Sequence, residues 1–588
     1  RGFDAIHGSD LEITLDGLPI NEWSNVHAQG YLDLGLILPE LIDHVVVTKG
    51  PYTLGQGAFA MAGSANYQLR VPSDVRGAHV AYTFGTTGRH RLFAGWTPSD
   101  GDGTQFIGVS ATHDDGFGEQ RSIDRANLNA RVRVARFAKS AIDVTLLASA
   151  GRFDLPGTLR NDDVARAAKG FYDAYDPLAR GTSVRALGAL TYRREAGAHD
   201  LDVTAYAGWR DLGLLENFTG FLLNPVEGDR RDQRHRVWSF GAHGAHQWEV
   251  SDALAWRTGT GVRGDTLSQR EDNVGRQLDA LSTRRDLDAT QLIAHALTGA
   301  RWTPSKDVRV DAGARADLVY VAASDETNGL GAGALFTLSP RLTARWDVAT
   351  QWSVIGAYGR GFRPPEARAF TAFDAGQEGV GEDLFAGEVA TVTSDALELG
   401  GKWRPSEQLG VDVSGFATFI ERESIFDHVS GTTLELNGTR RYGVEAVVTA
   451  RPLRWLEIIA DATYADARFL DSGNRVPFSP WLVSGVRALA GSDFGPRAGL
   501  RVLTVAPRPL PNGARGSTLI LTDATAGWRW RRVRLDLEIE NFLNRRLREG
   551  EYNYASNWRP GEPASQIPVL HTTAGPPLNV RATLGVLF

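Results

Sequence analysis

Apolar and polar residues alternate along much of this chain with a period of two. In VRLDLEIENF (533–542), the positions from Val533 to Glu540 are alternately apolar and charged. Segments 308–320 and 456–464 show the same pattern. A period of two places successive side chains on opposite faces of a β-strand. The pattern therefore predicts many strands, each with one apolar face and one polar face.

These segments are long, and the connections between them differ at their two ends. Many exceed ten residues, whereas the strands of soluble proteins run to roughly ten residues at most. Short turns join them at 99–103, 138–140, 304–307 and 405–408. Long polar connections lie at 152–182, 211–233, 265–286, 321–332, 366–392 and 545–570. Short turns at one end and long loops at the other are typical of a transmembrane β-barrel.

The predicted fold is an all-β membrane protein built on a 22-stranded antiparallel transmembrane barrel. Roughly 22 strands fit between about residue 77 and Phe588, and single-chain bacterial barrels have an even number of strands. The chain ends on the alternating segment LNVRATLGVLF (578–588), without a polar tail. Because the last strand of a barrel pairs with the first, the chain can stop there, with Phe588 outward in an aromatic girdle. The alternative is a buried terminal strand of a soluble protein.

The first 75 residues do not follow the alternating pattern. They contain the helix-compatible stretch LDLGLILPELID (32–43), turn signals, and the short apolar segments EITL (12–15) and HVVV (44–47). A barrel this wide needs an occupied lumen, as in large outer-membrane transporters. We therefore predict a small α/β plug domain over residues 1–75, lying in the lumen of a barrel formed by residues 76–588. The start at Arg1 suggests that only the C-terminal part of the plug is present.

Composition excludes several other classes of protein. The chain has no Cys, so it has neither disulfides nor thiolate chemistry. Its formal net charge is -7 and its arginines are scattered, so no basic face for nucleic acid is indicated. No apolar run reaches the roughly 18 residues of a transmembrane helix. No catalytic motif or phosphate-binding loop is found, and His243 and His246 lie at an odd spacing that separates them on a strand. We predict no enzyme activity, cofactor or metal site.

Several segments resemble TonB-dependent outer-membrane receptors. The plug of that family is matched by RGFDAIHGSDLEITLDGLPIN (1–21) and by ELIDHVVVTKGPYTLGQGAFAMAGSANYQL (40–69). Downstream, YGRGFRPPEAR (358–368), APRPLPNG (506–513), IENFLNRR (539–546) and the final Phe588 resemble its barrel. The order and spacing of these pieces span the whole chain. Three departures are visible: no TonB box precedes Arg1, Gln56 replaces a common Tyr, and Lys49 replaces a common Arg.

The resemblance implies active uptake across the bacterial outer membrane. A scarce ligand too large for porins, most often a metal chelate such as a ferric siderophore, would bind on the outside and pass the plug. The implied partners are TonB with its inner-membrane energising complex, outer-membrane lipid and lipopolysaccharide, the imported small molecule and, in some systems, a surface lipoprotein. The sequence does not select iron chelates over cobalamin, copper or glycans. A non-transporting surface-assembly or adhesion component is the alternative, and an open porin is disfavoured by the plug.

Candidate ligand-binding residues lie in two regions. The predicted plug apex, NEWSNVHAQGY (21–31), combines aromatic rings with hydrogen-bonding tips, as ligand sites do. The plug candidates are Trp23, Asn25, His27, Gln29, Tyr31, His7, Gln56 and Phe59. The loop candidates, from KGFYDAYD (169–176) and GEYNYASNW (550–558), are Phe171, Tyr172, Tyr175, Tyr552, Tyr554 and Trp558. Trp23 and Tyr31 would alternatively pack the plug against the barrel, and the loop aromatics would alternatively belong to a membrane girdle. The acidic stretch 374–388 is interpreted as a solvated loop.

Overall fold

A barrel of long antiparallel strands encloses a smaller sheet. The computed structural model describes residues 1–3, 8–371, 389–492, 494–561 and 564–588. Within these residues, 22 strands close into one barrel in which all neighbours are antiparallel, and the first 70 residues fold as a separate mixed sheet. The predicted fold class is thus confirmed. In chain order, the barrel strands are Gly77–Gly85, His90–Thr97, Phe106–Asp114, Ile123–Arg136, Ser140–Asp154, Arg180–Ala196, His199–Glu216, Arg230–Ser251, Leu254–Val274, Ala280–Ser305, Val308–Asp325, Gly329–Ala349, Trp352–Arg363, Val392–Ser406, Leu409–Ile420, Thr439–Leu453, Leu456–Phe469, Leu482–Gly491, Gly495–Val505, Leu519–Trp530, Val533–Glu540 and Asn579–Leu587.

The last strand closes the barrel against the first. Asn579–Leu587 pairs with Gly77–Gly85, and the hydroxyls of Thr83 and Thr583 lie 2.8 Å apart across this seam. The backbone N–H of Phe588 donates to the carbonyl of Ala78 at 2.8 Å. The terminal strand therefore has a partner on both sides, and the Phe588 ring lies outward, 66% exposed. Closure removes the free edge that a chain ending in a strand would otherwise present.

The plug is a four-stranded mixed sheet with short connections. Its strands are Leu11–Leu15, Leu18–Pro19, Ile42–Lys49 and Gly63–Leu69, and Leu11–Leu15 runs parallel to Gly63–Leu69. The helix-compatible stretch 32–43 is not one helix: it forms two 3-10 turns, Leu34–Leu36 and Pro39–Leu41, and then enters a strand. Proline lacks the N–H that a continuous helix requires at this position, and it begins the second turn.

The two ends of the barrel differ as the connections predicted. At one end of the barrel, here called the turn end, short turns join neighbouring strands. At the other end, here called the loop end, longer segments join them. Two predicted long connections, 265–286 and 321–332, are shorter than expected because their strands continue to Val274 and Asp325. Polar strands of this kind retain their ladder hydrogen bonds beyond the lipid. Among the described residues, none of the helices has the length and apolarity needed to cross a bilayer.

Small elements fold within the loop-end segments. A short helix, Asn161–Ala165, follows a two-residue strand, and the hairpin Glu423–Asp427 with Thr432–Leu436 stands above the barrel. The strands Leu159–Arg160, Arg548–Tyr554 and Val569–Ala574 form a three-stranded sheet. Further 3-10 turns lie at Ser73–Val75, Ala367–Phe370 and Pro511–Gly513. These described segments thus form a roof over one end of the lumen.

Two belts of outward aromatic residues mark the lipid-facing band. The belt at the turn end consists of Trp96, Trp248, Trp256, Trp302, Trp346, Trp352, Trp455, Trp530 and Phe588. The belt toward the loop end consists of Tyr82, Phe84, Trp238, Tyr320, Phe336, Phe419, Tyr442 and Tyr464. On one strand, Trp238 and Trp248 are ten residues apart, which at roughly 3.3 Å per residue and a 45° tilt spans roughly 23 Å. This matches the apolar band of roughly 25 Å expected for outer-membrane barrels.

A charge in the middle of this band should impair insertion. Leu342 is 45% exposed and lies between Trp346 and Phe336 of the two belts. We expect Leu342→Arg to destabilise the membrane-inserted barrel by about 2–4 kcal/mol, because the guanidinium would lie among acyl chains. Reversible unfolding in lipid vesicles measures this, with Leu342→Ile as the control. Equal stability of the two variants would show that Leu342 does not face lipid.

The plug contacts the barrel through charge pairs as well as through apolar clusters. Carboxylates along the plug each contact a barrel arginine. The pairs are Asp10–Arg363, Asp16–Arg131, Glu22–Arg210, Asp33–Arg125 and Glu40–Arg91. With the signs of the charges reversed, Arg1 of the plug contacts Glu398 and Glu445 of the barrel, and Lys49 also contacts Glu445. These directional pairs favour one orientation of the plug, in addition to the apolar clusters that the plug shares with the barrel.

Candidate ligand-binding site

The segment 21–31 forms the plug apex at the loop end. The N–H of Gly30 donates to the carbonyl of Glu22 at 2.9 Å, and the N–H of Glu22 donates to the carbonyl of Tyr31 at 3.2 Å, closing the segment into a compact loop. Inside it, the Asn25 side-chain oxygen accepts from the N–H of His27 at 2.9 Å. These contacts present His27 and Tyr31 toward the roof of loops.

A cavity of about 340 Å³ lies between this apex and the loops. Its volume falls within the range of small-molecule sites, which is about 300–1,000 Å³. His27 and Tyr31 come from the plug, and the remaining wall comes from the barrel strands and loops. The lining residues are His27, Tyr31, Phe153, Leu155, Pro156, Gly157, Thr158, Tyr175, Asp176, Ala179, Leu214, Glu216, Asn217, Phe218, Phe426, His428, Tyr552, Trp558 and Thr573.

Rings in contact with one another form one side of this cavity. His428 packs edge-on against Phe426, with ring centroids 5.1 Å apart, and it also contacts Tyr552 at 4.3 Å. Below the wall, His428 and Tyr554 stack at 4.9 Å, and Tyr554 stacks on His571 at 3.9 Å. Because each ring is fixed by its neighbours, the wall presents a preformed aromatic surface.

A stacked pair separates this cavity from a second one nearer the outside. Tyr175 and Trp558 are nearly parallel, with centroids 4.2 Å apart, and both line both cavities. The outer cavity has a volume of about 380 Å³. The Tyr175 hydroxyl donates to the Asp163 carboxylate, which fixes the ring from the helix Asn161–Ala165. The pair is therefore a thin shared wall between an outer and an inner chamber.

The two carboxylates in the inner wall already have partners. Asp176 accepts two hydrogen bonds from the Arg230 guanidinium, at 2.6 and 3.2 Å. Glu216 lies 3.4 Å from the Nδ1 atom of His27. Burial disfavours the imidazolium of His27, but the neighbouring Glu216 carboxylate outweighs burial and raises the pKa of His27. His27 and Glu216 thus lie side by side at the cavity floor, where the carboxylate favours the protonated form of the imidazole.

Burial keeps the other histidines of the wall neutral. It lowers the pKa of His428 to about 3, with smaller contributions from His571 and His27. Burial likewise lowers the pKa of His571 to about 4. The Nδ1 atom of His571 lies 2.9 Å from the carbonyl of Val569 and its Nε2 atom lies 2.7 Å from the hydroxyl of Ser556, a pattern that suits a neutral ring with its proton on Nδ1. The aromatic wall therefore carries no positive charge at neutral pH.

The structure brings five of the predicted residues together at the inner cavity. They are His27, Tyr31, Tyr175, Tyr552 and Trp558. Tyr554 lies directly beneath the wall, 5% exposed, and its hydroxyl donates to the carbonyl of Phe218 at 3.0 Å. These residues come from the plug and from two loops more than 350 positions apart in the chain, so the site forms only in the closed barrel.

The other predicted plug residues lie away from this cavity. Trp23 is 1% exposed, packs in one cluster with Phe59 and barrel residues, and donates its Nε1–H to the carbonyl of Pro365 at 2.8 Å. The structure thus places Trp23 and Phe59 in the interface between plug and barrel. Gln29 donates to the carbonyl of Pro364 in the same interface. These contacts correspond to the packing alternative considered for the apex.

The remaining candidates have local roles or lie outside the described residues. Asn25 donates to the Glu22 carboxylate at 2.6 Å, and Gln56 donates to the carbonyl of Gly50 at 3.0 Å. Phe171 and Tyr172 pack edge-on at the rim, with centroids 5.0 Å apart. His7 and the acidic stretch 374–388 lie outside the described residues.

The lining residues that were not among the sequence candidates include four rings: Phe153, Phe218, Phe426 and His428. Phe426 and His428 belong to the hairpin of the 421–438 connection, which the alternation pattern did not separate from its neighbouring strands. The signal available in the sequence was the short run IFDH next to the turn residues of VSGTT. Reading this run as a hairpin within the loop would have predicted that Phe426 and His428 lie over the lumen.

Sequence comparison matches both parts of this architecture. Residues 1–64 match the TonB-dependent receptor plug domain family, and residues 50–542 match the family described as TonB-dependent receptor-like, β-barrel. The chain belongs to the TonB-dependent receptors. It is accordingly an outer-membrane transporter and not an enzyme. The turn end of the receptor faces the periplasm and its loop end faces outward.

Solved structures resemble the receptor over nearly its whole length. The ferric yersiniabactin uptake receptor FyuA from Yersinia pestis gives a TM-score of 0.77 at 13% identity, covering 99% of this chain and 89% of FyuA. The unliganded ferric citrate transporter FecA gives 0.78 at 15% identity, covering 100% and 90%. The copper transporter OprC gives 0.76 at 16% identity, covering 99% and 90%. A search of curated protein sequences gives no significant match. These identities establish a shared fold and leave the ligand to be argued from the site.

Proposed function

We propose that the receptor imports a metal chelate of the siderophore class across the outer membrane, driven by TonB and its inner-membrane complex. The observation that carries this proposal is the inner cavity, whose floor is the plug apex and whose roof is the loops. A ligand bound there contacts His27 and Tyr31, which belong to the domain that must move during uptake. FyuA and FecA, which are described as receptors or transporters of ferric chelates, support this class.

Uptake of radioactive iron by iron-starved cells tests the proposal. Chelates secreted by the parent strain are loaded with the isotope and offered to a strain lacking the receptor and to the same strain carrying it on a plasmid. We expect uptake only in the complemented strain, and we expect it to stop when TonB is deleted. Uptake that is equal in the two strains would support the alternative, a non-transporting surface-assembly or adhesion component.

The wall of the cavity should contribute directly to ligand affinity. We expect Trp558→Ala to weaken binding of the isolated chelate roughly tenfold or more, because the stacked pair loses its ring and the wall between the chambers opens. Equilibrium binding to purified receptor measures this. Phe117→Ala is the matched control, since Phe117 also lies in an outer loop but packs against Tyr172 and does not line the cavity. Unchanged affinity in Trp558→Ala would remove this wall from the site.

A further inference from the structure

The inner cavity is rich in rings, and its described lining residues include neither lysine nor arginine. Resting on the proposed function, we infer that the imported chelate carries no net negative charge and is held through flat or apolar faces. A ferric tris-hydroxamate, which is neutral, belongs to this class. Ferric citrate and ferric tris-catecholates, which are anions, do not.

The charges next to the cavity are arranged against an anion. The only carboxylates among its described lining residues are Asp176 and Glu216, and the lining remains net negative even with His27 protonated. The Arg230 guanidinium lies on the far side of Asp176, where it lines the outer cavity and is occupied by that carboxylate. A bound anion would therefore meet carboxylate oxygens before it met a guanidinium.

The outer cavity differs in composition from the inner one. Lys169, Arg230 and Arg559 line it together with Asp163, Asp176 and Glu227. Charges of both signs thus lie outside the Tyr175–Trp558 wall, and rings lie inside it. Selection by charge would therefore operate at the inner chamber, where a ligand contacts His27 and Tyr31 of the plug.

Desolvation makes this composition selective. A multiply charged anion loses its hydration on entering a ring-lined chamber, and that cost is recovered only by paired cations such as bidentate arginines. A neutral chelate loses much less and gains contact with the preformed rings.

Fractionation of the growth medium tests the charge class without requiring the ligand to be identified. Medium from iron-starved cultures of the parent strain is loaded with radioactive iron and passed over an anion exchanger near neutral pH. We expect the iron that enters cells only through the receptor to lie in the unretained fraction. Receptor-dependent uptake found only in the retained fraction would overturn this inference and leave import intact. No receptor-dependent uptake from either fraction would overturn the proposed function as well.

A charge placed in the wall provides a second test. Leu155 lines the cavity and is half-buried. Leu155→Arg adds a positive charge to the lining, whereas Leu155→Gln adds a polar group without a charge. With purified receptor and two probes, a neutral ferric tris-hydroxamate and a trianionic ferric tris-catecholate, we expect the native receptor to favour the neutral probe. Leu155→Arg should shift the ratio of the two affinities toward the anion by roughly tenfold or more, and Leu155→Gln should not. A native preference for the trianion, or the same ratio in both variants, would contradict the inference.

Discussion

Replacing Glu22 with alanine should loosen the plug apex by about 3–5 kcal/mol, because the change leaves a barrel arginine buried without its partner. The Glu22 side chain lies between the Arg210 guanidinium and the Nε2 atom of His235, which is 3.3 Å away. Both Glu22 and Arg210 are less than 5% exposed. Burial alone would raise the pKa of Glu22, but Arg210 and His235 outweigh it and lower this pKa to about 2. The carboxylate is therefore ionised at every pH the cell meets.

Hydrogen exchange at the apex measures this loosening. The amides of Glu22 and Gly30 are bonded within the apex loop, and their protection should fall by roughly two to four orders of magnitude in Glu22→Ala. Glu40→Ala is the matched control, since Glu40 also pairs with a barrel arginine but its side chain is 22% exposed, so we expect a loss of about 1 kcal/mol or less. Protection that is unchanged in Glu22→Ala would show that the apex is held by its apolar contacts instead.

The barrel could be predicted from the sequence because its determinants are local. Alternation with a period of two, as in Val533–Glu540, follows from one face meeting lipid and the other meeting the lumen, and no distant residue is needed to read it. The closing pair of the first and last strands also follows from the even strand count. In the same way, the departure of residues 1–75 from alternation was sufficient to separate a plug from the wall.

The position of each ring could not be predicted, because it depends on contacts between distant segments. Trp23 and Tyr31 are eight positions apart in the same apex loop, yet Trp23 donates to the carbonyl of Pro365 while Tyr31 lines the cavity. An indole with a polar tip serves equally well in an interface or in a site. Only the fold determines which barrel segment faces each apex residue. Composition therefore identified the apex as a candidate region, but it could not show which apex residues line the cavity and which pack against the barrel.

The charge pairs that hold the plug show the same limit. The pairing of Asp10 with Arg363, or of Asp16 with Arg131, joins residues more than 100 positions apart. Within the wall, Arg309 contacts Asp311 and Arg534 contacts Asp536, two positions along the same strand. Sequence spacing of two predicts such wall pairs, whereas pairs between plug and wall require the register of the whole barrel.

Acidification should loosen the roof of the ligand cavity by about 3 kcal/mol at pH 5.5. His428 and His571 are buried and neutral, with pKa values of about 3 and about 4, below the ordinary value of 6.5. The opened loops therefore bind protons more readily than the folded loops, so stability is full above about pH 6.5 and falls as the pH decreases toward the folded values. One pH unit below 6.5 costs about 1.4 kcal/mol for each histidine. Protonating Nε2 of His571 would also remove the acceptor that Ser556 contacts.

Hydrogen exchange of the roof strands Glu423–Asp427 and Val569–Ala574, corrected for the intrinsic pH dependence of exchange, measures the effect. Protection should fall roughly a hundredfold between pH 7.5 and pH 5.5, because about 3 kcal/mol corresponds to two powers of ten. The plug strand Leu11–Leu15 is an internal control, since it contains no histidine and should keep its protection. His428→Phe, which retains a ring among Phe426 and Tyr552, should reduce the pH dependence by about half. If the protection of the roof strands does not change with pH, these histidines accept a proton without the loops opening. In that case their burial does not determine the stability of the roof.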